Sequence, residues 1–370
     1  MSDEATKPGV LLPSLRIENF RCFKDLTIPK LARVNLIVGK NGVGKTTLLE
    51  ALRIYFSKSR AGAILSILSD REDFVFYGDQ PLDVVALAKK LQSLFYGPPP
   101  FRQIWPKILI GENGADAGIH IELWALPPSQ AEIEDVSRKP DWSRMYLNIQ
   151  DKFENREQIP FSKAIQSIID FDGFVEMSEG DEAIRCAYVP SSNLGPARAV
   201  GLWDKVNLTD LEPEIVRAGQ LIDPRIQRIS VTGLGSGHGK VGFIVRLADQ
   251  ADPVPLHSLG EGVGRIIGLA LALATHRNGA VLIDEAENGI HWSVQPKLWE
   301  VIFTLAERLN VQVFATTHSN DCVGGFAHAA RAHGDNGLLI RLEEWNGELR
   351  ARSIDVETAE IAAEGGMELR

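Results

Sequence analysis

Residues 39–47 read Gly39-Lys40-Asn41-Gly42-Val43-Gly44-Lys45-Thr46-Thr47 and satisfy the pattern G-x-x-x-x-G-K-[ST] with no mismatch. The spacing suits phosphate chemistry. Gly42 and Gly44 let the backbone around Asn41 turn its N–H groups toward an anion, and a helix start directly after the loop adds partial positive charge. Lys45 is placed to reach the β- and γ-phosphates and to act in catalysis, the Thr46 hydroxyl to bind Mg²⁺, and Thr47 to complete the cofactor-binding set. A nucleoside triphosphate with Mg²⁺ is the ligand this loop predicts.

Three further groups carry chemistry. Asp284 and Glu285 follow the apolar run Ala280-Val281-Leu282-Ile283. An aspartate delivered by such a strand binds Mg²⁺, and the carboxylate after it can accept a proton from attacking water. His318 ends the run Val313-Phe314-Ala315-Thr316-Thr317. A histidine there can hydrogen-bond a γ-phosphate and hold water and Glu285 in line. Ser258-Leu259-Gly260-Glu261-Gly262 precedes an apolar helix predicted over Val263 to Thr275, so Ser258 and Gly260 sit at an anion-binding helix start, with Arg265 one turn in as additional charge.

The elements that must hold these residues are legible as a pattern. Arg33 to Val38 reads as a buried strand feeding the phosphate loop, and Leu48 to Phe56 as the helix leaving it. Leu15 to Phe20 alternates as a strand, and 107–110 and 119–124 as a strand pair. Helices are predicted at Phe161 to Ile169, Asp210 to Leu221 and Trp292 to Leu309, with Pro296 near the start of the last. Leu338 to Leu342 and Leu349 to Ile354 predict a hairpin around Asn346-Gly347. Glycines at 233–242 predict a loop or tight hairpin, and Asp170-Phe171-Asp172-Gly173 a turn. Alternating strands and helices with polar strand ends imply an α/β fold whose site lies at the carboxyl ends of its strands. The core divides into 1–60 and 245–370, with an insertion and regulatory lobe at 61–244.

Bulk properties narrow the function. The chain has 370 residues, 44% hydrophobic and 24% charged, and a net charge of −10. The acidity weighs against a sequence-independent DNA coater. Arg16, Arg21, Lys24, Lys30 and Arg33 form a basic cluster in sequence, which reads as a solvated surface around the first strands. No apolar run is long enough to span a bilayer, the N-terminus is polar and acidic, and Cys22, Cys186 and Cys322 lack metal-ligand spacing. These features predict a cytoplasmic protein with no membrane partner.

In this order, the phosphate loop, Ser-x-Gly-Glu-Gly, Val-Leu-Ile-Asp-Glu-Ala-Glu-Asn-Gly-Ile-His and Ala-Thr-Thr-His-Ser resemble an ABC-type ATPase. The opening Leu15-Arg16-Ile17-Glu18-Asn19-Phe20-Arg21-Cys22-Phe23 is similar to the soluble RecF/SMC/Rad50 branch, and the chain as a whole to the bacterial AAA_15/AAA_21 group. That group is related to the overcoming-lysogenization-defect (OLD) proteins and to the ATPase subunit of the PARIS anti-phage system. The resemblance implies an ABC-type P-loop NTPase head with a mixed α+β insertion between phosphate loop and signature. It implies a head-to-tail ATP sandwich, as a dimer or higher oligomer, in which Lys45 and Thr46 of one subunit face Ser258 and Gly260 of the other. Asn288, Gly289 and His291 would form the dimer-contact loop, and Arg21 would lie near the base or phosphates. Gln80 or Gln103 would be the Mg²⁺-linked glutamine. OLD proteins carry a TOPRIM nuclease after the ATPase, whereas this sequence reaches Arg370 soon after His318, which implies a separate TOPRIM-like effector. The expected function is an ATP-hydrolysing switch controlling that effector in anti-phage defence. The alternative is a DNA-maintenance clamp, which predicts coiled-coil arms or a basic groove.

Overall fold

The computed structural model describes residues 10–57, 60–70, 91–97, 107–114, 118–125, 145–150, 156–160, 186–233 and 241–364. Gln80, Gln103, the expected helix at Phe161 to Ile169 and the Asp170–Gly173 turn lie outside the described residues.

The phosphate loop leaves β3 (Val34–Val38), whose five residues are all buried. A strand buried on both faces needs apolar side chains on both, which explains its unbroken run. Its alternation divides the core: Val34, Leu36 and Val38 enter one cluster and Ile37 the other. β3 lies between β13 (Gln312–Thr316) and β14 (Gly337–Trp345), parallel to both. The sheet continues through β12 (Ala280–Ile283) to β8 (Cys186–Val189), and on the other side to β15 (Glu348–Ile354), in the order β15-β14-β3-β13-β12-β8. Every strand that ends at the site is therefore parallel to its neighbours and opens at the same carboxyl edge. No strand is predicted at 186–189 from the sequence. β8 is four residues long, too short for a periodic pattern, and is held by parallel pairing with β12 from Ala280↔Cys186 to Ile283↔Val189.

A second six-stranded sheet, β2-β1-β4-β5-β6-β7, is antiparallel throughout. It comprises β1 (Leu15–Phe20), β2 (Phe23–Ile28), β4 (Ile108–Gly111), β5 (Gly118–Ala125), β6 (Met145–Gln150) and β7 (Arg156–Pro160). Helix α1 (Lys45–Phe56) shares a core cluster with this sheet and with Ala280, Leu282 and Phe314 of the parallel sheet. Helix α2 (Arg60–Asp70) packs into the same cluster.

The other face of the parallel sheet is covered by α3 (Pro196–Val206), α4 (Glu212–Gln220), α5 (Glu261–Thr275), α6 (Gln295–Leu309) and α7 (Asn320–Ala332). Eleven residues of α5 are buried, so it runs through the core rather than over it. α6 begins with Pro296 in its first turn, where a missing N–H costs nothing, and ends on Asn310 in a left-handed conformation. A three-stranded sheet of β9 (Ile226–Gly233), β10 (Val241–Leu247) and β11 (Val254–Pro255) leads into α5. The β14–β15 hairpin turns on Asn346 and Gly347, both at positive φ, as the sequence predicts; α8 (Val356–Glu364) follows it. Among the described residues, no helix is long and apolar enough to cross a membrane.

Candidate active site

The phosphate loop is shaped by close contacts at its two ends. Gly39 has φ +148°, and a Cβ there would lie 2.4 Å from the carbonyl oxygen of Leu342 on β14. Gly44 caps α1 at φ +94°, where a Cβ would lie 2.7 Å from both Cys22 Sγ and Phe23 Cζ. Neither position has room for a side chain, so the backbone itself forms the cradle. Lys45 opens α1 and folds back: its Nζ donates to Gly39 O at 2.6 Å and to Lys40 O at 2.9 Å. Burial lowers the Lys45 pKa, opposed by the charges of Glu285, Glu287 and Asp284. The lysine of the loop and the acids of β12 thus share one electrostatic neighbourhood, although some 240 positions separate them in sequence. Asn41, Gly42 and Thr46 are exposed on the loop, whereas Thr47 is buried.

The acids stand on a tightly held turn. Asp284 N–H donates to Val189 O of β8 at 2.9 Å, continuing the ladder past the end of β12. Thr316, at the end of β13, has two roles: its Oγ donates to Asp284 Oδ1 at 2.7 Å and accepts Glu285 N–H at 2.9 Å. Its carbonyl also accepts Ala286 N–H at 3.0 Å. Glu285 adopts φ +48°, a conformation unfavourable for a side-chain-bearing residue, and these bonds hold it there. On the second oxygen of Asp284, Tyr188 of β8 donates from 3.4 Å. Burial raises the Tyr188 pKa and Asp284 adds to the rise, so the phenol stays a donor.

Glu285 and His318 come together, with Oε1 and Nε2 3.6 Å apart and each side chain about one-third exposed (34% and 36%). The other Glu285 oxygen, Oε2, accepts from Asn288 Nδ2 at 2.6 Å. Asn288, expected in a dimer-contact loop, also reaches Ser191 O at 3.4 Å. Glu287 fixes the histidine's backbone, its Oε1 accepting His318 N–H at 2.7 Å. Sequence reading assigns no role to Thr316, Tyr188 or Glu287. Glu287 and Thr316 lie inside the recognised motifs, but their contacts depend on strands meeting across the sheet. For Tyr188, no local signal exists.

Ser258 lies not on α5 but in the 3-10 turn Leu256–Leu259 before it, exposed, with its Oγ donating to Pro255 O at 2.7 Å. Gly260, at φ +92°, links that turn to α5 and is exposed. The sequence places Arg265 as added charge at this surface, and here the structure differs. Arg265 is 2% exposed and points inward, donating to Pro190 O, Asp284 O and Glu285 O. The basic cluster near the N-terminus is also not one solvated surface. Arg21 ion-pairs with Glu50 of α1 at 2.8 Å, both largely buried, and Arg33 donates to Ala306 O at 3.2 Å. Arg16 pairs with Asp25 and Glu18, and Lys24 with Glu348. His291 is exposed beside Ser293, 2.8 Å from its Oγ, and Gly289 has its backbone against Glu261 of α5.

Comparison with known proteins agrees with this arrangement. Residues 11–94 match the model described as "AAA ATPase domain", and residues 186–321 match "AAA domain, putative AbiEii toxin, Type IV TA system". The chain is 25% identical over 345 residues to the "ATP/GTP phosphatase" of Helicobacter pylori, covering 85% of this chain and 86% of that protein. It is 21% identical to the "OLD nuclease" of Thermus scotoductus, covering 84% of this chain and 59% of that protein. Among solved structures, an SmcHead bound to the C-winged helix domain of ScpA aligns over 94% of this chain and 99% of its own, at 12% identity and a TM-score of 0.49. The phosphate loop falls in the first matched segment and Ser258 to Gly262, Asp284, Glu285 and His318 in the second, and the sheet brings loop and acids to one edge: together these findings support an ABC-type AAA ATPase.

Proposed function

We propose that this ATPase is a switch that closes into a head-to-tail, ATP-sandwiched dimer and, in that state, controls a separate TOPRIM-like nuclease in anti-phage defence. The observation that carries the dimer is the division of the site. Lys45, Asp284, Glu285 and His318 converge on one edge of the sheet, whereas Ser258 and Gly260 are exposed at the start of α5. A second copy would bring that exposed helix start to the γ-phosphate. The nuclease and the defence role rest on the OLD-related likeness, whose named activity belongs to that relative.

Each residue then has a chemical task. Lys45, already desolvated, offers its charge to the phosphates. Asn288 occupies Glu285 Oε2, which leaves Oε1 as the oxygen that takes a proton from the attacking water, beside His318 Nε2. Thr46 and Asp284 fit a Mg²⁺ site. They offer only hydroxyl and carboxylate oxygens, and Thr316 and Tyr188 fix the carboxylate by hydrogen bonds. When bound, Mg²⁺ supplies charge neutralisation at the phosphate oxygens.

The test is Glu285→Gln, which removes the base and keeps the shape. With ATP, the variant should accumulate as a dimer by size-exclusion chromatography with light scattering, with hydrolysis at least 10²-fold slower than wild type. A variant that stays monomeric with saturating ATP would sink the sandwich. The DNA-clamp reading loses support from the dispersal of Arg16, Arg21, Lys24 and Arg33 among separate partners.

A further inference from the structure

A buried arginine normally lies against a carboxylate, because removing its charge from water costs several kcal/mol unless it is compensated. The charges of Asp284, Glu287 and Glu285 offset the burial of Arg265, yet its hydrogen bonds go elsewhere. Its guanidinium donates to three backbone carbonyls: Pro190 at 2.5 Å, Asp284 at 2.8 Å and Glu285 at 3.0 Å. These belong to the loop after β8 and to the turn after β12, while Arg265 itself stands one turn into α5. A fork of planar donors can hold three acceptors at once, whereas an ammonium cannot match that geometry.

The position of those carbonyls gives the contact its meaning. Glu285 is held at φ +48° by Thr316 on its N–H side, and Arg265 takes the carbonyl on the other side. A second contact ties the same two elements: a Cβ on Gly262 would lie 2.7 Å from Gly289 O, so α5 and the loop carrying Asn288 touch backbone to backbone. The start of α5, the carbonyls under Glu285 and the loop that delivers Asn288 to Glu285 Oε2 are thus tied together by direct contacts.

We propose that Arg265 is a positioning residue through which the placement of α5 sets the aim of Glu285 in the same chain. The inference rests on the ATP-sandwich reading. There, the helix start that meets the partner's nucleotide is linked, through Arg265, to the base acting on the chain's own nucleotide. Contact at one composite site would then tune hydrolysis at the other.

The experiment compares steady-state hydrolysis and equilibrium binding of a fluorescent ATP analogue for wild type, Arg265→Lys, Arg265→Met and Glu285→Gln. Arg265→Met should lower kcat roughly 10²-fold, the cost of misplacing a reacting group by about 1 Å. KM and the nucleotide Kd should stay within about twofold, and Arg265→Lys should recover part of the loss. Wild-type kcat in Arg265→Met, or a loss shared equally by kcat and nucleotide binding, overturns the proposal. Should Arg265→Met fail to fold, Gly262→Ala is the second variant, since alanine favours a helix by about 1 kcal/mol while pressing on Gly289. It should show the same split, and wild-type kcat there overturns the proposal. The Glu285→Gln control separates the two readings. Hydrolysis that survives Glu285→Gln refutes the assigned base. Hydrolysis lost in Glu285→Gln but intact in Arg265→Met refutes only the coupling.

Discussion

Thr316→Val is a nearly isosteric change that removes one oxygen serving both acids. Thr316 is 1% exposed, so the site cannot simply rehydrate. Its Oγ donates to Asp284 Oδ1 at 2.7 Å, a bond to a charged acceptor worth about 1.5–3 kcal/mol. It also accepts Glu285 N–H at 2.9 Å, and stranding that donor costs about 1–3 kcal/mol, at the lower end because Glu285 is partly exposed. The variant should therefore lose about 3 kcal/mol. Thr316→Ser keeps both bonds and loses one methyl, for about 1 kcal/mol. Strand propensity favours valine over serine, so any bias runs against the expected order. Urea titration by circular dichroism reads the midpoint at constant m-value. Released from Thr316, the Glu285 turn should also aim poorly, with kcat down at least tenfold in Thr316→Val and within threefold in Thr316→Ser. A Thr316→Val protein as stable and as active as Thr316→Ser would refute the claim that this hydroxyl holds the turn.

Two more perturbations follow from the loop and the thiols. Gly39→Ala forces a methyl to within 2.4 Å of Leu342 O at a positive φ, and should cost about 3 kcal/mol by the same titration, with loss of nucleotide binding. Burial pushes the Cys186 and Cys322 thiols up to about 12, while Cys22 is half-buried against Gly44. At pH 8 a chromogenic disulfide should label Cys22 alone in the native protein, more slowly with ATP present; labelling of all three thiols would refute the packing. The raised thiols also set a sign. The folded chain keeps protons that the unfolded chain releases near pH 9, so their contribution is whole below pH 9 and is lost between about pH 9 and 12.

Much of this site is legible in the sequence because its parts are local. A glycine-rich loop after β3, an acid pair after β12 and a histidine after β13 each occupy consecutive positions whose order enforces their geometry. The same holds for the β14–β15 hairpin, where Asn346-Gly347 specifies its own turn. What escapes is set by tertiary contact. Arg265 reads as surface charge because one turn into a helix is where an anion-binding cation would stand; only the packing of α5 across β8 and β12 shows that it faces inward. Arg21 and Arg33 read as solvated because nothing nearby in sequence shows that Glu50 of α1 and Ala306 of α6 receive them. Tyr188 is a further case, since β8 acquires its place only by pairing with a strand made much later in the chain.

That order of synthesis bears on how the protein is made. β3 and its phosphate loop emerge early, yet both neighbours of β3 in the sheet are far downstream: Asn35 Nδ2 bonds Val313 O across 278 positions, and Leu12 N–H bonds the side chain of Gln312 across 300. At ribosomal rates of 5–20 residues per second, the strand that carries the loop waits about 15–60 s for its partners. For that interval Val34-Asn35-Leu36-Ile37-Val38 is an apolar segment with two open edges, a natural client for a chaperone. The close approach of Gly39 to Leu342 O, which shapes one end of the phosphate loop, forms only once β14 has been made.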